Sequence, residues 1–276
     1  MLDLFAIAGA NGAAVRTAFE ALVAALAADR AGQVEHFARW VEKEALIAIN
    51  VKLFVIVELL NGRGYQNSYD WAREQAHLSG RGIEEALRER LGEWYERRTT
   101  FDRSFRDGEL FRYGALNAGG TGVDKLFDPF CVVLTRIFQG ALMAVAYLPG
   151  DSLKICFGAD GIFDDAAIQR RATPHTHRHL MVALERANEI SGVDERRWPE
   201  LVSSGLQYFE VVFVGEVSLD AVGCVRVSKG QFDRLWNLAF GNFGRKLGDA
   251  ERALVQDFID LRRAEIEGKI QIEVVG

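Results

Sequence analysis

The sequence predicts an α+β protein, with a mostly helical N-terminal region over residues 1–100 and a mixed α/β-sheet domain over residues 101–276. Three observations predict it. Before residue 100 the helical signals are apolar residues at three-to-four spacing, as in Val34, Phe37, Trp40 and Val41, and runs rich in charge. After residue 100, short runs of β-branched and aromatic residues recur between turn signals. Only four prolines occur and no Ser/Pro/Gly-rich run marks a linker, so the two parts are expected to pack together.

The chain opens with a short apolar run, Gly9-Ala10-Asn11-Gly12, and an Ala-rich helix over residues 13–29. Strand, Gly-x-x-Gly turn and helix is the outline of a dinucleotide-binding start. The third glycine is missing and no second strand with an acidic residue follows, so a glycine turn leading into a helix is the preferred reading. Over residues 46–57 the pattern alternates and then becomes continuously apolar, which leaves helix and strand unseparated. Asn61-Gly62-Arg63-Gly64 reads as a turn. Residues 70–98 read as helices broken at Gly80-Arg81-Gly82, and the charges from Glu84 to Glu93 as a solvated face.

Strands are expected at residues 111–117 and 130–134, and the reading extends to a possible one at 153–157. The glycine loop over residues 118–122 leaves backbone open to a ligand's close approach, and Pro149-Gly150 marks a turn. His175, His177 and His179 would face one way on a strand and could then hold a metal; a helix start there separates them, and an exposed polar segment is preferred. Residues 222–227 continue the sheet, an aromatic helix spans 232–240, and Asp249 is expected to cap a helix closed by Gly268. A last strand is expected over residues 269–274.

Residues 206–219 carry the chemistry. This nearly continuous apolar run reads as a buried strand holding one carboxylate, Glu210. Tyr208, Glu210, Val212 and Val214 share one face, and Phe209, Val211 and Phe213 the other. An ionised carboxylate among Val and Phe is costly without a partner, so Glu210 is either ion-paired or catalytic.

Net charge is −6, with pI near 5.5, so no global nucleic-acid footprint exists, while a local basic groove stays open. Three widely spaced cysteines read as buried thiols in a reducing compartment. The N-terminus has no basic region ahead of its apolar start, so a cytoplasmic protein without a signal peptide or membrane span is expected; export by another route stays open.

Taken as a set, several pieces resemble a family of bacterial proteins of unknown function. They are Tyr113-Gly114-Ala115-Leu116-Asn117, Phe130-Cys131-Val132-Val133-Leu134, Tyr147-Leu148 with Asp151-Ser152, and Tyr208-Phe209-Glu210 with Gly215-Glu216-Val217-Ser218-Leu219. The glutamate strand is also similar to the last motif of several ADP-ribosyltransferase toxins. The resemblance implies a sheet domain of ADP-ribosyltransferase-like type that takes NAD as its substrate, in a toxin, an effector or a housekeeping protein.

Breaking the nicotinamide–ribose bond passes through an oxocarbenium-like transition state, which a nearby carboxylate stabilises. Glu210 is the catalytic candidate, with Glu216 as the alternative. Arg112 is the candidate for the pyrophosphate, because a guanidinium binds phosphate as a fork. Tyr113 and Tyr147 are candidates for stacking on nicotinamide, Ser152 for orienting the ribose, and Asn117 completes the expected NAD-binding set. No metal is expected. A protein acceptor is preferred to nucleic acid, and the N-terminal helices are expected to recruit a target or partner. The competing expectations are a non-catalytic adaptor of the same fold and, behind it, a nucleotide-binding enzyme using Gly9 to Gly12.

Overall fold

A computed structural model describes residues 1–123, 126–158, 160–204, 207–241 and 246–276. A seven-stranded sheet organises it, in the order β4-β7-β2-β1-β3-β8-β9. The strands are β1 (Leu46–Val51), β2 (Arg112–Asn117), β3 (Phe130–Leu134), β4 (Ala144–Leu148), β7 (Glu210–Val214), β8 (Val222–Ser228) and β9 (Ile272–Val275). A separate short hairpin pairs β5 (Ser203–Ser204) with β6 (Gln207–Tyr208). Every pairing in the large sheet is antiparallel except β8 with β9. The fold is therefore mixed α+β.

The N-terminal hundred residues form α1 (Leu4–Ala25), α2 (Ala28–Glu44), α3 (Leu53–Leu60), α4 (Ser68–Ser79), α5 (Ile83–Leu91) and most of α6 (Tyr95–Ser104), with β1 between α2 and α3. β1 is the middle strand of the sheet, flanked by β2 and β3. Residue 100 lies inside α6, and the sheet takes its centre from before that point.

Alternation sorts the two faces. Ile47, Ile49, Leu116, Val132, Tyr147, Val211 and Phe213 point into the larger core, against α2, α3 and α10 (Arg178–Ile190) on one side of the sheet. Val212, Ala146 and Leu148 point the other way, against Leu4 and Ala8 of α1, Phe101 of α6 and Phe105 at its cap, and Leu153 of α8 (Ser152–Ile155). The remaining helices are α7 (Arg136–Ala141), α9 (Ala166–Arg171), α11 (Trp198–Val202), α12 (Lys229–Trp236) and α13 (Asp249–Ile266).

Several expectations are corrected. The opening strand and glycine turn do not form: α1 runs unbroken through Gly9 and Gly12, capped by Asp3, whose carboxylate accepts from the Ala6 N–H at 3.0 Å. Gly12 serves packing, since a Cβ there would lie 3.1 Å from His177 Nδ1. Residues 153–157 begin as the helical turn α8, because Asp151 caps Leu153 N–H at 2.9 Å. The strand expected over 206–219 is two shorter ones, β6 and β7; Leu206 lies outside the described residues. The chain leaves the sheet after Val214, where Gly215 passes so near Leu142 that a Cβ would sit 2.8 Å from its Cδ2. Gly248, rather than Asp249, is the N-cap of α13. No helix among the described residues is long and apolar enough to cross a membrane.

Candidate functional site at Glu210

Glu210 opens β7, opposite Ala115 of β2 and Leu148 of β4, on the face covered by α6 and α8. It is 3% exposed. Its Oε2 accepts the Ser152 N–H at 2.8 Å, and Arg98 Nη2 lies 3.6 Å from Oε1. Burial pushes its pKa up to about 6, with Arg98 pulling down, Asp151 pushing up and Ser152 pulling down through its hydrogen bonds.

Arg98 is the hub. Its guanidinium lies 3.7 Å from the centre of the Tyr113 ring, and its Nη1 donates to Ser152 Oγ at 3.4 Å. Burial acts to lower its pKa, but the Tyr113 phenol and the Glu210 and Asp102 carboxylates outweigh that and raise it, so it stays charged. Asp102, one turn along α6, is buried and accepts the Tyr113 hydroxyl. Burial lifts its pKa to about 6 against the pull of Arg98 and the hydrogen bond from Tyr113. Burial likewise holds the Tyr113 phenol well above its ordinary value, so it remains a donor. One arginine thus acts electrostatically on two buried carboxylates, Glu210 and Asp102.

Over this network opens a cleft of about 280 Å³. Arg98, Asp151 and Tyr208 line it, together with Arg90, Trp94 and Lys154, while Glu210 lies behind Arg98 and does not line it. Burial, then Glu210 and Asp151, raise the Tyr208 phenol, so it is neutral and faces the Asp151 carboxylate as a donor. Cys156, near the same network, has its thiol pushed up to about 12 by burial and by Glu210, which makes it a poor nucleophile.

Of the sequence-predicted set, Glu210, Tyr113 and Ser152 come together. Asn117 shares the same sheet face, but its side chain is occupied: it accepts from the N–H groups of Gly119 and Gly120 at 2.9 and 3.0 Å and donates to the Gly120 carbonyl at 2.8 Å. It shapes the glycine loop from within. Arg112 and Tyr147 are not brought to Glu210. Arg112 stands opposite Phe213, on the other face, and pairs with Asp70 at 3.1 Å. Tyr147 stands opposite Val211, fully buried, with its hydroxyl 2.7 Å from His175 Nδ1. Glu216 is exposed in the loop after β7.

His175 and His177 lie in a 3₁₀ turn and His179 in α10, so they do not line a strand. Among the described residues no cluster of three His, Cys, Asp or Glu could hold a metal. Burial and Arg178 lower the His175 pKa to about 4, leaving it neutral.

Sequence reasoning missed Arg98, read as the end of a run of helices, and Asp102, to which it gave no role. The available signal was their spacing. Tyr95, Thr99, Asp102 and Phe105 are buried on α6 and its cap, and Arg98 lies four before Asp102 on that stripe. No protein-family model matches the chain, and no curated protein is significantly similar to it in sequence.

Proposed function

We propose that the protein is an ADP-ribosyltransferase-like enzyme that cleaves the nicotinamide–ribose bond of NAD and passes ADP-ribose to an acceptor. Under this reading the mixed sheet is of ADP-ribosyltransferase-like type. The observation that carries the reading is a buried carboxylate, Glu210, held by Arg98 beside a cleft whose lining supplies further cations and aromatic rings.

The C1–N bond breaks, nicotinamide leaves with the bonding pair, and positive charge builds on the ribose. Glu210 and Asp151 supply negative potential at that end of the cleft, and low dielectric strengthens it. A carboxylate titrating about 6 also suits removal of the acceptor's proton near neutral pH. Arg90 and Lys154 are the cations placed to take the pyrophosphate, the part the sequence assigned to Arg112. Trp94 and Tyr208 offer faces for the nicotinamide ring.

The deciding experiment follows nicotinamide release from NAD by wild type and Glu210→Gln. Release that disappears in the variant supports the reading; full release by Glu210→Gln removes that residue from the chemistry.

The near-complete burial of Glu210 favours a second reading, in which the Arg98 network is purely structural and the chain is a non-catalytic adaptor. That reading predicts no thermal shift with NAD, since a ligand of the native state must stabilise it.

A further inference from the structure

We propose that the groove running to both sides of Arg90 binds a short segment of single-stranded nucleic acid. On one side of Arg90 lies the cleft of about 280 Å³; on the other lies a hollow of about 330 Å³, bounded by Lys52, Phe54, Tyr65 and Asp128. Arg90 and Phe127 line both, so the two hollows form one groove.

Two properties of its walls coincide. First, Lys52, Arg90 and Lys154 are exposed and none of them forms a salt bridge among the described residues; Lys52 and Arg90 face Asp128 only at longer range, and Arg90 lies 5.3 Å from the Trp71 ring centre. Elsewhere arginines are regularly paired, as in Arg63–Glu58, Arg73–Glu109 and Arg226–Glu273. Second, three large rings stand in water along the same groove: Phe54 is 46%, Trp94 43% and Phe127 59% exposed. Cations without a salt bridge beside exposed rings are what a single strand needs, because phosphates seek the cations and bases stack on the rings.

The alternatives fit less well. An acidic peptide would satisfy the cations and leave the rings bare. It would also meet the Asp128 and Asp151 carboxylates, which can instead accept from base amino groups and sugar hydroxyls. A long duplex has no unstacked bases for the rings. The strand shares Arg90 and Lys154 with the pyrophosphate site of the proposed NAD reaction, so the two ligands compete for this cleft, and strand binding is read without NAD.

The test is fluorescence anisotropy of labelled eight-nucleotide RNA and DNA strands with the full chain, without NAD, at low salt. Expected are binding that weakens with salt, and a loss of about five- to a hundred-fold in affinity for Phe127→Ala, the range for one stacked base. Arg90→Ala should weaken binding and flatten the salt dependence. Phe127 and Arg90 are both exposed, so unchanged thermal melting of the two variants verifies the fold. No strand binding at low salt, binding unmoved by both substitutions, or equal displacement by a glutamate-rich peptide overturns the proposal. Nicotinamide release is read separately, so either idea can fail alone.

Discussion

Arg98 lies 3.6 Å from Glu210, and this pair joins helix α6 to strand β7 on the face of the sheet that also holds Val212, Ala146 and Leu148. The carboxylate is only 4% exposed and so has almost no water to fall back on, while the arginine, 14% exposed, reaches the cleft. Breaking such a pair costs more than replacing it.

Arg98→Met is therefore expected to destabilise the chain by about 3–5 kcal/mol, because it leaves the Glu210 carboxylate buried and uncompensated. The double variant Arg98→Met/Glu210→Gln should recover a large part of that loss. Urea unfolding of the two single variants and the double variant checks this; additive losses would mean that the pair is not coupled.

Stability should depend on pH with a particular sign. The folded pKa of Glu210, about 6, is above its unfolded value, so the folded state holds the proton more tightly. Its contribution is present at acid pH and is lost as pH rises from the unfolded value through about 6. Acidic groups with lowered values, such as Glu84 and Glu273, act in the opposite sense, so the comparison is wild type against Glu210→Gln. Between pH 4 and 7 that difference should move against wild type by about 2 kcal/mol. A pH-independent difference would contradict the shift.

Arg112→Ala should cost about 1–2 kcal/mol through loss of Asp70 and the carbonyls it holds. It should leave NAD binding unchanged, because the residue is on the opposite face from Glu210. A tenfold loss of NAD affinity without loss of stability would restore its sequence-predicted role.

Tyr147→Phe is expected to lower stability by about 1 kcal/mol by leaving His175 without the phenol, again without effect on nicotinamide release. Calorimetric melting and the release assay on one preparation separate the two effects.

Gly114→Ala addresses the glycine of the Tyr-Gly-Ala-Leu-Asn run. A Cβ there would lie 2.7 Å from the Ala48 carbonyl oxygen of the adjoining strand. Parting β1 from β2 should cost about 1–3 kcal/mol. A variant as stable as wild type in urea would mean that the strands separate more freely than their register suggests.

The sheet was legible where a single strand announces itself. The β-branched run at residues 130–134 and the alternation of Phe209, Val211 and Phe213 against Glu210 and Val212 are periodic, and periodicity survives folding. The end of β7 was not legible, because Gly215 bends away for the sake of Leu142, far off in sequence. The site was half legible for the same reason. A carboxylate in an apolar strand is conspicuous by itself, whereas its partner Arg98 looks like any charge on a helix until the helix is laid on the sheet. Arg112 and Tyr113 are neighbours, and a strand sends neighbours to opposite faces, so only one of them could join Glu210.

The position of β1 sets how this chain must be made. Its partners β2 and β3 flank it without pairing to each other, so, among the described residues, 46–51 are the only bridge between the two halves of the sheet. A fragment beginning near residue 101 would present two raw inner edges, each a template for strand exchange with other copies, and aggregation is its expected fate. On the ribosome, the segment that becomes β1 emerges long before either neighbour and has to wait, unpaired and apolar, until about sixty-six residues later β2 begins. The chain thus carries its greatest exposure to chaperones and to misassembly in the interval between residues 51 and 112.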